Sequence, residues 1–343
     1  MHSPMVEAAQ ILVRSGVDLK TFREEIVPAA QPVVLKGLVS DWPSVRAARE
    51  STRALVDFLR SFDRGRQPNI IELPAVTKGH MFYREDLGGL NFARRVAPIG
   101  ATLERLLSLA NEPDPISLFI ESMITRDFLP DFAGAHPMPL LDASVGPRIW
   151  IGNRTTVQTH FDLLYNIACV VGGRRRFTLF PPGQVANLYM GPLDFTPAGT
   201  PVSMVPLANP DPTRYPRFSE ALKHARQAEL EPGDALYIPF AWWHHVEALT
   251  PFNVLVNYWW NDAPKMGSPY GVLLHAAMSL RDLPADQRAV WKSFFDLLVF
   301  SDPEESMGHL PAAKRGLLGP PSEQRSREVR QILVQALSRP PGQ

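Results

Sequence analysis

The sequence predicts a mainly β fold, a barrel or jelly roll with flanking helices and a helical C-terminal segment. Three observations carry that expectation. Residues 147–262 break into short apolar segments of strand length, separated by turn signals such as Gly172-Gly173 and Pro181-Pro182. Proline accounts for 34 of 343 residues, about twice its usual share of about 5%, which argues against a bundle of long helices. After residue 263 the apolar positions change to helical spacing.

In chain order, residues 5–14 and 42–62 read as amphipathic helices, and "QPVVLKGLV" between them reads as a strand. Residues 103–110 are expected to be helical, and "ISLFIES" is apolar enough for a buried strand. "RIWIG" then runs into "THFD", "NIACVV" meets the Gly-Gly turn, and "RRRFTLF" returns from it. Residues 191–216 hold seven prolines and read as a long irregular connection. A helix is expected near 217–228, followed by three β segments, "GDALYIP", "WWHHVEAL" and "FNVLVNYWW". Helices are expected at 269–280, 285–299 and 321–338. These readings divide the chain into a unit over 1–262, with its barrel core at about 147–262, and a helical region over 263–343.

The bulk numbers exclude several classes. Lys+Arg and Asp+Glu both number 35, so the net charge is zero, and the broad basic field of a nucleic-acid binder is absent. The lone cysteine, Cys169, cannot form an internal disulfide, which fits a reducing, cytoplasmic compartment. No segment has the length and apolarity of a signal peptide or membrane span, so no membrane association is expected.

The chemistry concentrates in "THFDLLYN", residues 159–166. His160 and Asp162 stand two apart, so in a strand they share a face. A carboxylate turned inward costs several kcal/mol unless something positive meets it. The second half supplies the His244-His245 pair in "PFAWWHHVEAL". Two histidines and a carboxylate can hold Fe(II) on one side and leave the other coordination positions open. Alternation allows only one of the two neighbouring histidines to face inward.

These blocks resemble the JmjC-type, cupin-like Fe(II)/2-oxoglutarate oxygenases, in particular their asparaginyl-hydroxylase-like branch. The resemblance rests on "QPVVLKGLVSDWP", on "WIGNRTTVQTHFDLLYNIACVVGGRRRFTLFPP" and on "LEPGDALYIPFAWWHHVEAL" through "VNYWW", in that order, and covers most of the chain. It implies a double-stranded β-helix core. It further implies that iron is held by His160, Asp162 and His244, the first position of the pair, and that Asn166 and Asn257 lie near the cosubstrate.

The chain departs from the family pattern at three places. Arg175 stands where the family usually has a lysine for the distal carboxylate of 2-oxoglutarate. Alternation of Arg175, Phe177 and Leu179 against Arg174, Arg176 and Thr178 turns Arg175 inward, where it meets either that carboxylate, bidentately, or a buried protein carboxylate. Val157 occupies the position of the usual hydroxyl residue, leaving Thr156 and Thr159 as the nearest hydroxyls, with Thr156 as the candidate cosubstrate contact. Phe119 or Leu118 replaces an upstream tyrosine.

The resemblance implies a dioxygenase that converts 2-oxoglutarate to succinate while hydroxylating a protein side chain or a small molecule. Two other readings stand beside it: a metal-binding cupin enzyme that does not use 2-oxoglutarate, and a non-catalytic ligand-binding or regulatory cupin. Trp242, Trp243, Trp259 and Trp260 read as core and rim packing. His80, His136, His224, His275 and His309 have no spacing partner and read as surface residues, and Cys169 reads as a small apolar filler. The C-terminal helices carry Val272, Leu273, Leu274, Phe294, Phe295, Leu297 and Leu298, apolar on more than one face. A homodimer is therefore expected, and relatives in the family dimerise through such helices.

Overall fold

The stretch Tyr165–Gly172 is apolar at nearly every position, and such a run belongs at the centre of a sheet covered on both faces. It lies there in a computed structural model of the chain, which describes residues 8–263 and 267–338.

Among the described residues, fifteen strands form two mixed sheets. In chain order they are β1 (Ala9–Gln10), β2 (Leu12–Ser15), β3 (Val33–Lys36), β4 (Asn69–Leu73) and β5 (His80–Met81). Next come β6 (Ala93–Val96), β7 (Ser117–Ile124), β8 (Pro147–Gly152), β9 (Thr156–Phe161) and β10 (Tyr165–Gly172). The last five are β11 (Arg175–Phe180), β12 (Arg226–Leu230), β13 (Ala235–Ile238), β14 (Trp243–Ala248) and β15 (Asn253–Trp260). One sheet has the order β1-β12-β11-β14-β9-β5, the other β2-β3-β13-β10-β15-β8-β7-β4-β6. This is the mainly β jelly-roll core expected from the sequence.

Period-2 alternation sorts the core into two layers. Between the sheets lie Ala168, Val170, Phe177, Leu179, Leu236 and Leu255. On the far face of the nine-stranded sheet, Ile167, Cys169 and Val171 pack in one cluster with Leu55, Leu59 and Leu103, from helices Thr52–Ser61 and Ile99–Leu109. Gly173, at φ +75°, turns β10 into β11, and a β-carbon there would collide with Asn253, Thr250 and the Phe252 carbonyl.

Three expectations need correction. The helix expected over 5–14 is not formed in its described part: residues 5–7 lie outside the described residues, and β1 and β2 follow. β1 pairs with β12 and β2 with β3, in different sheets, and Ile11 between them is 2% exposed in the shared core. Their partners lie far along the chain, out of reach of a local periodicity. The helix expected at 217–228 is Phe218–Lys223 only. Beyond it Ala228 and Leu230 are buried while Glu229 points out to Arg176 on β11, a period of two. His136 is not a surface residue. It is 1% exposed, with Nδ1 2.6 Å from the Phe132 carbonyl and Nε2 2.8 Å from Ser44 Oγ, and burial pushes its pKa down to about 4.

The helix expected at 42–62 divides into Pro43–Glu50 and Thr52–Ser61, because extended Ser51 caps the second by accepting from the Ala54 amide. The described residues fall into two compact units, one ending at Asn261 and the other beginning at Asp262. The second contains helices Pro269–Leu280, Ala285–Phe295 and Glu323–Ser338. No helix among the described residues is long and apolar enough to cross a membrane.

Candidate metal centre and cosubstrate cleft

β9 and β14 are antiparallel neighbours in the six-stranded sheet, and their register sets His160 directly opposite His244. The two rings lie 4.2 Å apart, centroid to centroid. Asp162, just past the end of β9, brings Oδ2 to 3.6 Å from His244 Nε2. One ligand atom from each of His160, Asp162 and His244 lies within 4.8 Å of the others, and no other such group occurs among the described residues.

Both histidines are prepared as donors. His160 Nδ1 lies 2.8 Å from the Gln158 carbonyl, and His244 Nδ1 lies 3.0 Å from the Trp242 carbonyl. A carbonyl only accepts, so each Nδ1 carries its proton and each Nε2 presents a lone pair. Burial, and then the neighbouring His244, push the His160 pKa down to about 4, so its ring is neutral at pH 7. Asp162 Oδ2 accepts from Trp259 Nε1 at 3.1 Å, which fixes the carboxylate's orientation. His245 faces the opposite side. It is 5% exposed, contacts Thr159 Oγ1 at 3.3 Å, and is held near pKa 3 by burial.

A cleft with an empty volume of about 460 Å³ opens on this cluster. Asn166, Arg175 and Asn257 line it together with His160, Asp162 and His244. The inward position of Arg175 read from alternation is therefore found, with Phe177 beside it in the lining and Arg176 turned out to Glu229 and Glu247. Arg175 is 2% exposed, and its Nε and Nη2 have no hydrogen-bond partner among the described residues. No carboxylate among the described residues pairs with it within 4.0 Å. Burial pushes its pKa down to about 10, which leaves it charged at pH 7. A buried, unpaired guanidinium costs several kcal/mol, and an anion in the cleft removes that cost.

Asn166 and Asn257 face each other across β10 and β15, with Asn257 Nδ2 donating to Asn166 Oδ1 at 3.2 Å. Trp150 Nε1 donates to Asn257 Oδ1 at 2.7 Å. Thr156 is not among the lining residues. On β9 it is Val157 and His160 that turn to the cleft, and Thr156 pairs instead with His80 of β5. Of the two candidates on β7, Phe119 lines the cleft, while Leu118 packs in the other core layer.

Sequence reasoning missed Trp259 and Trp150, which it read as packing or did not single out. Trp259 could have been found: it stands two residues after Asn257 on one strand and so shares its face.

A family profile described as a cupin-like domain matches residues 19–266. Among curated proteins, the chain is 38% identical over 104 residues to "Lysine-specific demethylase JMJ31" of Arabidopsis thaliana, covering 30% of this chain and 18% of that protein. It is 26% identical over 282 residues to "tRNA wybutosine-synthesizing protein 5" of Gallus gallus, covering 75% and 79%. It is 35% identical over 113 residues to human "HSPB1-associated protein 1", covering 32% and 22%. The first and third of these matches thus reach less than a quarter of the relative's length.

Proposed function

Because the chain belongs to the cupin-like family of JmjC type, we propose that it is an Fe(II)- and 2-oxoglutarate-dependent oxygenase that hydroxylates a protein side chain or a small molecule. One observation carries the reading. A two-histidine, one-carboxylate cluster and a buried arginine with orphaned donors line one cleft.

The donor chemistry fits both groups. His160, Asp162 and His244 would hold Fe(II), the two imidazoles through Nε2 and the carboxylate in the orientation set by Trp259. Arg175 would take the distal carboxylate of 2-oxoglutarate on its free Nε and Nη2. Asn166 and Asn257 offer amide groups along the same wall. Iron with 2-oxoglutarate supplies oxygen activation coupled to oxidative decarboxylation, and the chain supplies orientation and a shielded site. Apolar Phe177, Ile238, Val246 and Leu255 keep that wall dry, which strengthens the charge pairing at Arg175. A formal net charge of zero supports a protein or small-molecule substrate over a polyanion, and the single buried Cys169 supports a reducing compartment such as the cytoplasm.

Anaerobic titration tests the assignment. Adding Fe(II) and then 2-oxoglutarate should produce a weak visible charge-transfer band, and admitting oxygen should yield succinate. A metal-loaded protein that neither binds 2-oxoglutarate nor makes succinate removes the oxygenase reading and leaves the other cupin readings.

Residues 263–343 are read as a dimerisation element. Val272, Leu273, Phe294 and Leu298 are 55%, 50%, 49% and 37% exposed, a large apolar area to leave in water. Light scattering at micromolar concentration should give the mass of a dimer, and a monomer mass would refute this part.

A further inference from the structure

A second concavity lies outside the cleft and shares none of its lining residues. It is an open groove with an empty volume of about 1030 Å³, where the short 3-10 helix Pro182–Asn187 meets the segment over 191–216. Arg214 and Arg217 line it together with Tyr189 and Tyr215. Met204 and the exposed side chains of Leu87, Val185 and Met190 add apolar surface. No lysine, aspartate or glutamate occurs among the described residues that line it. Tyrosine, methionine and arginine are the side chains enriched where proteins meet, and lysine and the carboxylates are depleted there.

The two arginines are held in place by the tyrosines. Tyr189 sits at φ +48°, a left-handed conformation uncommon outside glycine. Its ring meets that of Tyr215 edge to face, with centroids 5.1 Å apart, and its Oη accepts from the Arg217 amide at 2.9 Å. The Arg217 guanidinium lies over the Tyr189 ring at 4.7 Å, while Nε and Nη2 donate to the Ala186 carbonyl at 3.1 and 2.9 Å. The Arg214 guanidinium lies over the Tyr215 ring at 5.3 Å. Each cation is thus settled on a ring face before any partner arrives, which lowers the entropy lost on binding.

Neither guanidinium has a carboxylate within 4.0 Å among the described residues. The carboxylates three residues away in sequence are engaged elsewhere. Asp211 accepts from the Thr213 and Arg214 amides at 2.8 and 3.1 Å, and Glu220 faces Lys223 and His224. A stacked guanidinium keeps its N–H edge open, and that edge matches a carboxylate. The groove therefore offers two fixed positive charges beside an apolar floor, and the complement is an acidic segment that also carries apolar side chains.

The groove adjoins the metal cluster. Pro197, Ala198 and Val202 line a continuation of the cleft that also reaches His160 and Asp162. Val202 is two residues from Met204 of the groove. The Gly191 amide donates to the Val202 carbonyl at 2.8 Å and the Met204 amide to the Tyr189 carbonyl at 2.9 Å, so one stretch of chain serves both walls. A nucleic acid is the poorer complement. Two arginines around an apolar floor give no basic track for successive phosphates, and the formal net charge of the chain is zero.

We propose that this groove docks an acidic, apolar segment of a partner protein beside the cleft, with Arg214 and Arg217 selecting its carboxylates. The probe is a fluorescein-labelled peptide in which pairs of glutamates alternate with leucines. Its counterparts carry glutamine or lysine in place of glutamate, or serine in place of leucine. Fluorescence anisotropy is read on the full, metal-free chain, so the result does not depend on the oxygenase reading. The glutamate peptide should bind at least about fivefold more tightly than the glutamine peptide, the sum of two exposed ion pairs, and the preference should shrink as salt rises. The serine counterpart should bind more weakly. Arg214→Gln with Arg217→Gln should bring glutamate and glutamine peptides to parity at an unchanged melting temperature. Arg214→Glu with Arg217→Glu should go further and favour the lysine peptide. Parity in the parent overturns the inference, as does a preference that survives charge reversal. An oligouridylate of equal charge that binds more tightly than the glutamate peptide also overturns it, in favour of a nucleic-acid groove.

Discussion

Replacing His160, Asp162 or His244 by alanine is expected to weaken Fe(II) binding by more than about a hundredfold. Loss of a group that merely orients a metal ligand typically costs 10–100-fold, and here one of three ligands is removed. Each side chain contributes differently, which makes the set of variants informative. His160 and His244 offer Nε2 lone pairs because their Nδ1 protons are committed to the Gln158 and Trp242 carbonyls. Asp162 contributes the negative charge, held by Trp259. His245→Ala is the control. Its ring is buried against Thr159 on the other face of β14, so the variant should melt earlier yet keep its metal. Equilibrium dialysis with Fe(II) under anaerobic conditions reads the metal, and thermal unfolding reads the stability. If His245→Ala loses metal while His244→Ala keeps it, the assignment within the pair is wrong.

Arg175→Met should weaken 2-oxoglutarate binding by about 2–4 kcal/mol, roughly 30- to 1,000-fold, with Fe(II) binding retained. The expectation follows from the state of the guanidinium. It is 2% exposed, charged at pH 7, and without a partner at Nε and Nη2 among the described residues. Because no protein carboxylate among the described residues pairs with it, removing the charge should not leave a buried anion behind, and the variant should be at least as stable as the parent. Thermal unfolding with and without 2-oxoglutarate separates the outcomes. The parent should gain stability on adding the cosubstrate, and Arg175→Met should gain far less. Arg175→Lys keeps the charge but loses the planar fork and some reach, so it should retain partial turnover. An Arg175→Met protein that unfolds early, from a parent that shows no thermal shift, would mean that the arginine serves the fold.

How much of this was legible beforehand depends on the range of the interaction that decides it. The i, i+2 placement of His160 and Asp162 and the inward turn of Arg175 follow from strand alternation, which is local, and they hold in the structure. The resemblance selected His244 over His245, and the register of β14 against β9 places His244 opposite His160. Thr156 was chosen because it was the nearest hydroxyl in sequence, but the face of a strand is decided by register, and Val157 has the cleft-facing position.

The sequence by itself determined the barrel class, the strands that carry the cluster, and the residue types that meet there. A period of two, the Gly-Gly turn and the proline content are properties of neighbouring residues and need no partner to be read. Only the tertiary structure decided that Arg175 meets no carboxylate among the described residues, that Trp259 holds Asp162, and that the segment over 191–216 brings Pro197, Ala198 and Val202 beside the metal cluster. It alone decided that residues 9–15 form edge strands and that a one-residue bulge in β7 lets Ile120 and Met123 both pack in the core. Each of these depends on a contact between segments tens to hundreds of residues apart, whose formation is set by the packing of both sheets together.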